Sequence, residues 1–252
     1  MKIRTIALLT IFLTIAALLP VAGQLKGSTY LGEPKAMGKG FIRSIVTTDE
    51  TGKPETIGFI FNGDALLGLP SVADAAYKLA LPKEVAVPPF DHLEADWNYQ
   101  GHIPKELYGV PHFDFHFYMI TRSERDAMIL NPQTKANFSK NPPKEYVPKD
   151  YIFAPQSEYA NMGGHWIDIN TPELHGKPFT ETFIYGFYNG HLVFLEPMVS
   201  LAFLETKPCI DQPIKQPQAF ERSGYYPMKF GILHDPVTDQ YIVALKCLRF
   251  VR

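Results

Sequence analysis

His112, Asp114 and His116 occupy every second position of the run His112-Phe113-Asp114-Phe115-His116-Phe117-Tyr118. In an extended strand, successive side chains face opposite ways. The two imidazoles and the carboxylate therefore share one face, and Phe113, Phe115 and Phe117 share the other. Imidazole and carboxylate are metal-ligand or acid–base groups. A strand with one oily face and one reactive face is expected to form a pocket wall.

The chain has eight histidines, and two further clusters stand near this run. One is Gly101-His102, in the segment leading into the strand. The other is Met162-Gly163-Gly164-His165-Trp166-Ile167-Asp168, where a glycine pair sets an imidazole beside an aromatic ring and near a carboxylate. Geometry limits what His112 and His116 do together. Positions i and i+4 of a straight strand are ~13 Å apart, and Zn–N bonds are ~2.0–2.1 Å long. A shared ion needs a bulge; otherwise one histidine binds and the other serves elsewhere. Asp114 and His116, ~6.6 Å apart at the backbone, converge more easily, and Asp114 is also placed to orient an imidazole from outside the ligand set. Glu181 and Glu196 lie on apolar strands, where an unpaired carboxylate is expensive to bury. Glu196, followed by Pro197 and Met198, is expected at a strand end near a pocket mouth, meeting a cation. The expected metal residues are thus His112, His116 and His165, completed or supported by His102, Asp114 or Glu196.

The elements that must position these groups are mostly strands. Phe41 to Thr48 and Thr56 to Phe61 read as a β-hairpin around the turn Asp49 to Pro54. Ser71 to Ala80 is Ala-rich, has Ser71 as a cap and stops before Pro82, which predicts a short helix. Residues 82–111 read as a Pro-rich surface loop. Thr121 to Met128 reads as a helical turn capped by Ser123, with Asp126 as an imperfect capping-box partner. Asn131 to Pro155, with five prolines among lysines, reads as a long solvated excursion. Strand patterning returns at Pro178 to Tyr188, His191 to Glu196, Tyr226 to Leu233 and Gln240 to Phe250. Asn189-Gly190 marks a hairpin, and Asp235-Pro236 opens a second turn. Together these predict an α+β, mainly β fold: an antiparallel sandwich or barrel-like sheet with a few short helices.

Lys2 and Arg4, the apolar run Thr5 to Leu19 and the small residues to Gly23 read as a secretory signal peptide over residues 1–23. The run is shorter than the ~20 apolar residues that span a bilayer, and no later segment is long and apolar enough. The expectation is a single β-rich domain over residues 24–252, periplasmic or extracellular, with no stable membrane span after cleavage. Net charge is −2 with no basic block, which argues against nucleic acid. Cys209 and Cys247, in an exported chain, are expected to form a disulfide worth about 4 kcal/mol in the chain-entropy model. No G-x-S-x-G elbow, Walker loop, dinucleotide fingerprint or C-x-x-C is present. Aromatics near the histidines, Trp97, Tyr99, Tyr108 and Trp166 among them, suit cross-strand packing or a pocket for a flat or apolar small molecule.

Trp97-Asn98, Gly101-His102, Pro104, the run Pro111 to Tyr118, Met162-Gly163, His165-Trp166, Asp168 and Phe194-Leu195-Glu196-Pro197-Met198 resemble a little-characterised family of exported bacterial proteins. Its namesake is a sigma-factor-regulated protein of a thermophile. The hairpin region Gly40 to Pro70 carries the same resemblance. The family is classed as a domain of unknown function, so the resemblance implies a shared fold and an exported location but no reaction. Its signature histidines fall at His102, His112, His116 and His165. A metal role for them comes from their chemistry and not from the resemblance.

The leading expectation is a divalent transition metal, Zn, Cu, Fe or Ni, chosen by geometry. An open coordination position would permit water or oxygen chemistry. The alternatives are a non-catalytic small-molecule binder, or an envelope structural or stress protein acting as a homo-oligomer, with the histidines in a hydrogen-bond network. Whether the chain is an enzyme stays open at this stage.

Overall fold

Period-two alternation, apolar against polar, builds the strands and decides which face each side chain takes. The computed structural model describes residues 27–72 and 75–252. The expected signal peptide lies outside the described residues. Among the described residues the first elements are β1 (Thr29–Leu31), β2 (Lys35–Met37), β3 (Gly40–Thr48) and β4 (Pro54–Asn62). Next come β5 (Ala75–Ala80), β6 (His92–Asn98), α1 (Lys105–Tyr108), β7 (His112–Tyr118), α2 (Arg122–Asp126) and α3 (Lys135–Phe138). β8 (Tyr151–Phe153), β9 (Gly164–Asp168), β10 (Glu181–Tyr188), β11 (His191–Ser200) and α4 (Leu201–Glu205) follow. The last elements are β12 (Cys209–Pro213), β13 (Gly224–Tyr226), β14 (Lys229–Asp235), β15 (Gln240–Lys246) and β16 (Arg249–Val251).

The strands form two antiparallel seven-stranded sheets and a small β13–β16 pair. The first sheet runs β1-β3-β4-β15-β14-β12, with β2 also on β3. The second runs β5-β6-β7-β11-β10-β9-β8. Each has two free ends, so the fold is a sandwich and neither sheet closes into a barrel. Phe59 and Phe61 of β4 meet Phe115 and Phe117 of β7 between the sheets. The ring centroids of Phe59 lie 4.9 and 5.2 Å from those of Phe115 and Phe117. These rings are fully buried, and each contributes roughly 1.5–3 kcal/mol of transfer free energy. The oily face of β7 is therefore the inner face of the sandwich, as its alternation predicts.

The Asn189-Gly190 turn joins β10 to β11 with φ of 52° and 84°, the two positive angles that a type I′ hairpin needs. Asp235-Pro236 likewise lies in the turn between β14 and β15. Three expectations need correction. The Ala-rich run is not helical where it is described: residues 75–80 are β5, paired with β6 from Ala75↔Trp97 to Ala80↔His92. Pairing and the burial of Leu79 override the helix preference of alanine. Residues 82–111 are not loop throughout, because they contain β6. The excursion after Asn131 is anchored rather than wholly solvated, since α3 buries Phe138 against Tyr188 with centroids 4.9 Å apart.

Cys209 and Cys247 are free and exposed, so the expected disulfide does not form. The register explains this. Cys209 lies opposite Leu233, whereas Cys247 follows Lys246, which lies opposite Lys229 at the other end of β14. Four strand residues separate those ends by ~13 Å, beyond the ~7 Å that a disulfide spans. No helix among the described residues is long and apolar enough to cross a membrane.

Candidate metal centre

The cavity-facing side of the second sheet is a lattice of polar residues set by register. β6 and β7 pair as Asn98↔His112, Asp96↔Asp114 and Glu94↔His116. β11 continues the rows, with Met198↔Asp114 and Ser200↔His112, and the same register brings Glu196 opposite His116. Pro197 has no N–H for the ladder, and the β7–β11 pairing skips positions 196 and 197. Glu196 was expected at a strand end. It lies instead in mid-strand, because β11 runs on to Ser200.

His165 reaches the same face from β9, two strands away. Its approach depends on the preceding glycines. A Cβ on Gly164 would lie 2.1 Å from the Phe138 carbonyl oxygen, and one on Gly163, at φ 116°, would lie 2.6 Å from that of Phe187. The glycine pair is there for close backbone approach. Gly186, opposite His165, does similar work: the Phe194 ring covers the place of its missing side chain, 2.1 Å from an added Cβ. That ring packs on both His116 and His165, with centroids 4.8 and 5.2 Å away.

The six expected residues come together in two sets rather than one. His102, His112 and Asp114 form the first, and His116, His165 and Glu196 the second. Within each set, one ligand atom per residue lies within 4.8 Å of the others. His112 does not join His116 and His165, as the strand spacing warned. In the first set, His112 Nε2 is 3.2 Å from Asp114 Oδ1, and His102 Nε2 is 3.4 Å from Asp114 Oδ2. In the second, Glu196 Oε2 is 3.6 Å from His116 Nε2 and 3.7 Å from His165 Nε2. The other histidines pair elsewhere: His92 with Asp91, His191 with Glu221, His234 with Asp239, and His175 with the Ile169 carbonyl.

The tautomers follow from the partners. Nδ1–H of His102, His112 and His165 donates to the carbonyl oxygens of Ile103, Val110 and Ser157 at 2.8, 2.7 and 2.7 Å. A carbonyl only accepts, so in each neutral ring Nε2 carries the lone pair, the arrangement usual for metal-binding histidine. Those lone pairs face carboxylate oxygens. His112 Nε2, Asp114 Oδ1, His116 Nε2 and Glu196 Oε2 are buried without a hydrogen-bond partner. A lone pair set against a carboxylate repels unless a proton or a metal ion stands between them.

Burial and charge pull these groups apart. Burial pushes the Glu196 carboxyl up to about 8, with Asp114 adding to the rise and His116 opposing it. Burial lowers the His116 imidazole, but Glu196 and Asp96, the latter 3.0 Å from Nδ1, outweigh it and raise the group to about 9. His165 is lowered to about 4 by burial and then by the neighbouring His116. Burial works against ionisation of Asp114, yet His112 and His102 hold it well below the carboxylate range.

Glu94 and Arg125 were not foreseen. Both terminal guanidinium nitrogens of buried Arg125 reach the Glu94 carboxylate, its Nε donates to the Asn161 carbonyl at 3.0 Å, and the cation lies 4.7 Å from the Tyr118 ring centre. α2, which carries Arg125, has a full capping box between Thr121 and Glu124, two residues earlier than the Ser123 cap expected. The signal for Glu94 and Asp96 was present: His92, Glu94, Asp96 and Asn98 alternate with Leu93, Ala95 and Trp97, the same pattern as β7.

Every expected site residue except His112 lines a cavity of about 580 Å³, and His112 is buried behind the others. Apolar side chains share the lining: Ile167, Ile184 and Met198 from the same sheet face as Asp114 and Glu196, and Leu107, Met162 and Leu174 from the connecting segments. Polar groups converging at one end of an apolar cavity are the usual form of a small-molecule site.

No curated protein and no solved structure matches the chain. Residues 49–97, which hold Glu94 and Asp96 but none of the six ligand candidates, match the family described as TTHB210-like, hypothetical protein TTHB210, so the chain resembles a little-characterised family typified by a thermophile protein.

Proposed function

We propose that this is an exported metalloprotein, with a leader at residues 1–23 and a single β-rich domain over 24–252. Its divalent transition ion is held by His116, His165 and Glu196 at the floor of the cavity. The observation that carries the reading is the inward-facing, unpartnered set of His116 Nε2 and Glu196 Oε2 beside a His165 whose other nitrogen is tied to Ser157. Two imidazoles and one carboxylate form a donor set used for catalytic zinc and for non-haem iron. Three protein ligands leave a position open towards the cavity, where an ion supplies activated water or binds oxygen. The apolar side chains in the lining suit a small organic molecule, and Phe194 holds the two imidazoles in place.

A second reading has one observation in its favour. Burial pushes the Glu196 carboxyl up to about 8, and a protonated Glu196 facing the His165 lone pair across 3.7 Å would close to a metal-free hydrogen-bond network. Elemental analysis of the untagged protein, purified without chelators, separates the two. Near-stoichiometric transition metal, lost in His116→Ala with the fold retained, supports the metal centre. No metal, and none taken up on addition, leaves the network.

A further inference from the structure

The metal reading uses only one of the two ligand sets. We propose that His102, His112 and Asp114 hold a second divalent transition ion, bound independently of the first. The set has its own carboxylate and shares no side chain with His116, His165 and Glu196. Its two imidazoles are locked by backbone carbonyls, so both Nε2 lone pairs converge on Asp114. His112 Nε2 and Asp114 Oδ1 are buried and lack hydrogen-bond partners. Asp114 Oδ2 accepts from Asn98 Nδ2 at 2.7 Å, the kind of outer hydrogen bond that orients a metal-binding carboxylate.

Two ligands come from alternate positions of β7, ~6.6 Å apart at the backbone. The third comes from the loop joining β6 to β7, which is tied to itself. Lys105 Nζ donates to the carbonyls of Gln100 and Gly101, each at 2.8 Å. Gly101, at φ 63°, packs so closely that an added Cβ would lie 2.0 Å from the Tyr108 carbonyl oxygen. That closure holds His102 over the strand. The His102 side chain is 27% exposed, whereas that of His116 is 1% exposed, so this ion sits at the rim and the first at the floor. An N₂O donor set favours zinc, copper, nickel or iron over calcium or magnesium.

The test is zinc stoichiometry. The purified protein is stripped with EDTA, dialysed against Zn²⁺ and assayed for zinc per chain, with folding followed by circular dichroism. Two zinc ions are expected in the wild type, and one each in His102→Ala and Glu196→Gln. His102 is partly exposed on a loop, so its truncation leaves the sandwich folded; His112→Gln, which keeps the side-chain volume similar, is the second variant and is also expected to bind one. A single zinc that His102→Ala retains overturns the second site and leaves the first. A single zinc lost in both His102→Ala and Glu196→Gln denotes one shared centre and overturns it too. Two zinc ions in His102→Ala place the second elsewhere, and no zinc in the wild type removes both sites.

Discussion

The two sheets bury similar inner faces but treat their outer charges in opposite ways. On the first sheet, Asp211 bridges Lys229 and Lys246 at 3.0 and 2.9 Å, with all three side chains well exposed. Such pairs are screened by water and are worth about 0–1 kcal/mol. On the second sheet, loops cover the outer face, and Glu94, Asp114, His116, His165 and Glu196 are buried. Removing a charge from water costs several kcal/mol unless a partner compensates. Glu94 has one in Arg125. Asp114 and Glu196 face imidazole nitrogens instead, which compensate them only with a proton or a metal ion in between. The same period-two pattern thus yields a solvated surface on one sheet and, on the other, buried carboxylates and imidazoles that need a proton or a metal ion between them.

The largest expected effect tests that contrast at the buried Glu94–Arg125 pair. Glu94→Ala leaves the Arg125 cation buried and alone and should cost about 3–5 kcal/mol in urea unfolding. Replacing both partners, as Glu94→Leu with Arg125→Met, should cost less; a single variant within about 1 kcal/mol of wild type would show that water reaches the pair. Zinc addition comes next. At a thousandfold excess over Kd, one bound ion adds about 4 kcal/mol, a rise of roughly 8–16 °C in Tm for a domain of this size. Chelator should reverse the shift and Glu196→Gln should abolish the part due to the floor site. An unchanged Tm in the wild type would argue against the missing-cation view.

Gly186→Ala should act through packing. The new methyl displaces the Phe194 ring from between His116 and His165, at a cost of about 1–3 kcal/mol. Zinc affinity should fall by a factor of 10–100, as for other losses of outer support around a metal. Normal affinity with lost stability would make Phe194 a packing residue only. The smallest effect belongs to the first sheet: Asp211→Ala should change stability by less than about 1 kcal/mol, and less still in high salt. A loss matching that of Glu94→Ala would erase the distinction between the two sheets.

Much of this was legible in the residues. Alternation in 112–118 determined that phenylalanines face the core and His112, Asp114 and His116 the opposite side, because a strand has no other way to dispose successive side chains. The Asn189-Gly190 turn was equally local, since few other residue pairs accept two positive φ angles. The stretch 92–98 carried the same alternation and was passed over because of the prolines around it. The Ala-rich run was misread because helix preference is a few tenths of a kcal/mol per residue, less than pairing with a neighbouring strand and burying Leu79.

The division of the six ligand candidates into two sets was not legible. Strand spacing showed only that His112 and His116 would not easily share an ion. Which partners each would find depended on the register that brings Glu196, 80 positions on, opposite His116, the glycines that admit His165 from a distant strand, and the loop closure that holds His102. The sequence by itself determined which side chains lie on the chemical face of each strand, because that follows from backbone geometry within a few residues. Only the tertiary structure decided which of those side chains meet, and that Cys209 and Cys247 do not, because such meetings depend on strand order and register set by the packing of the whole core.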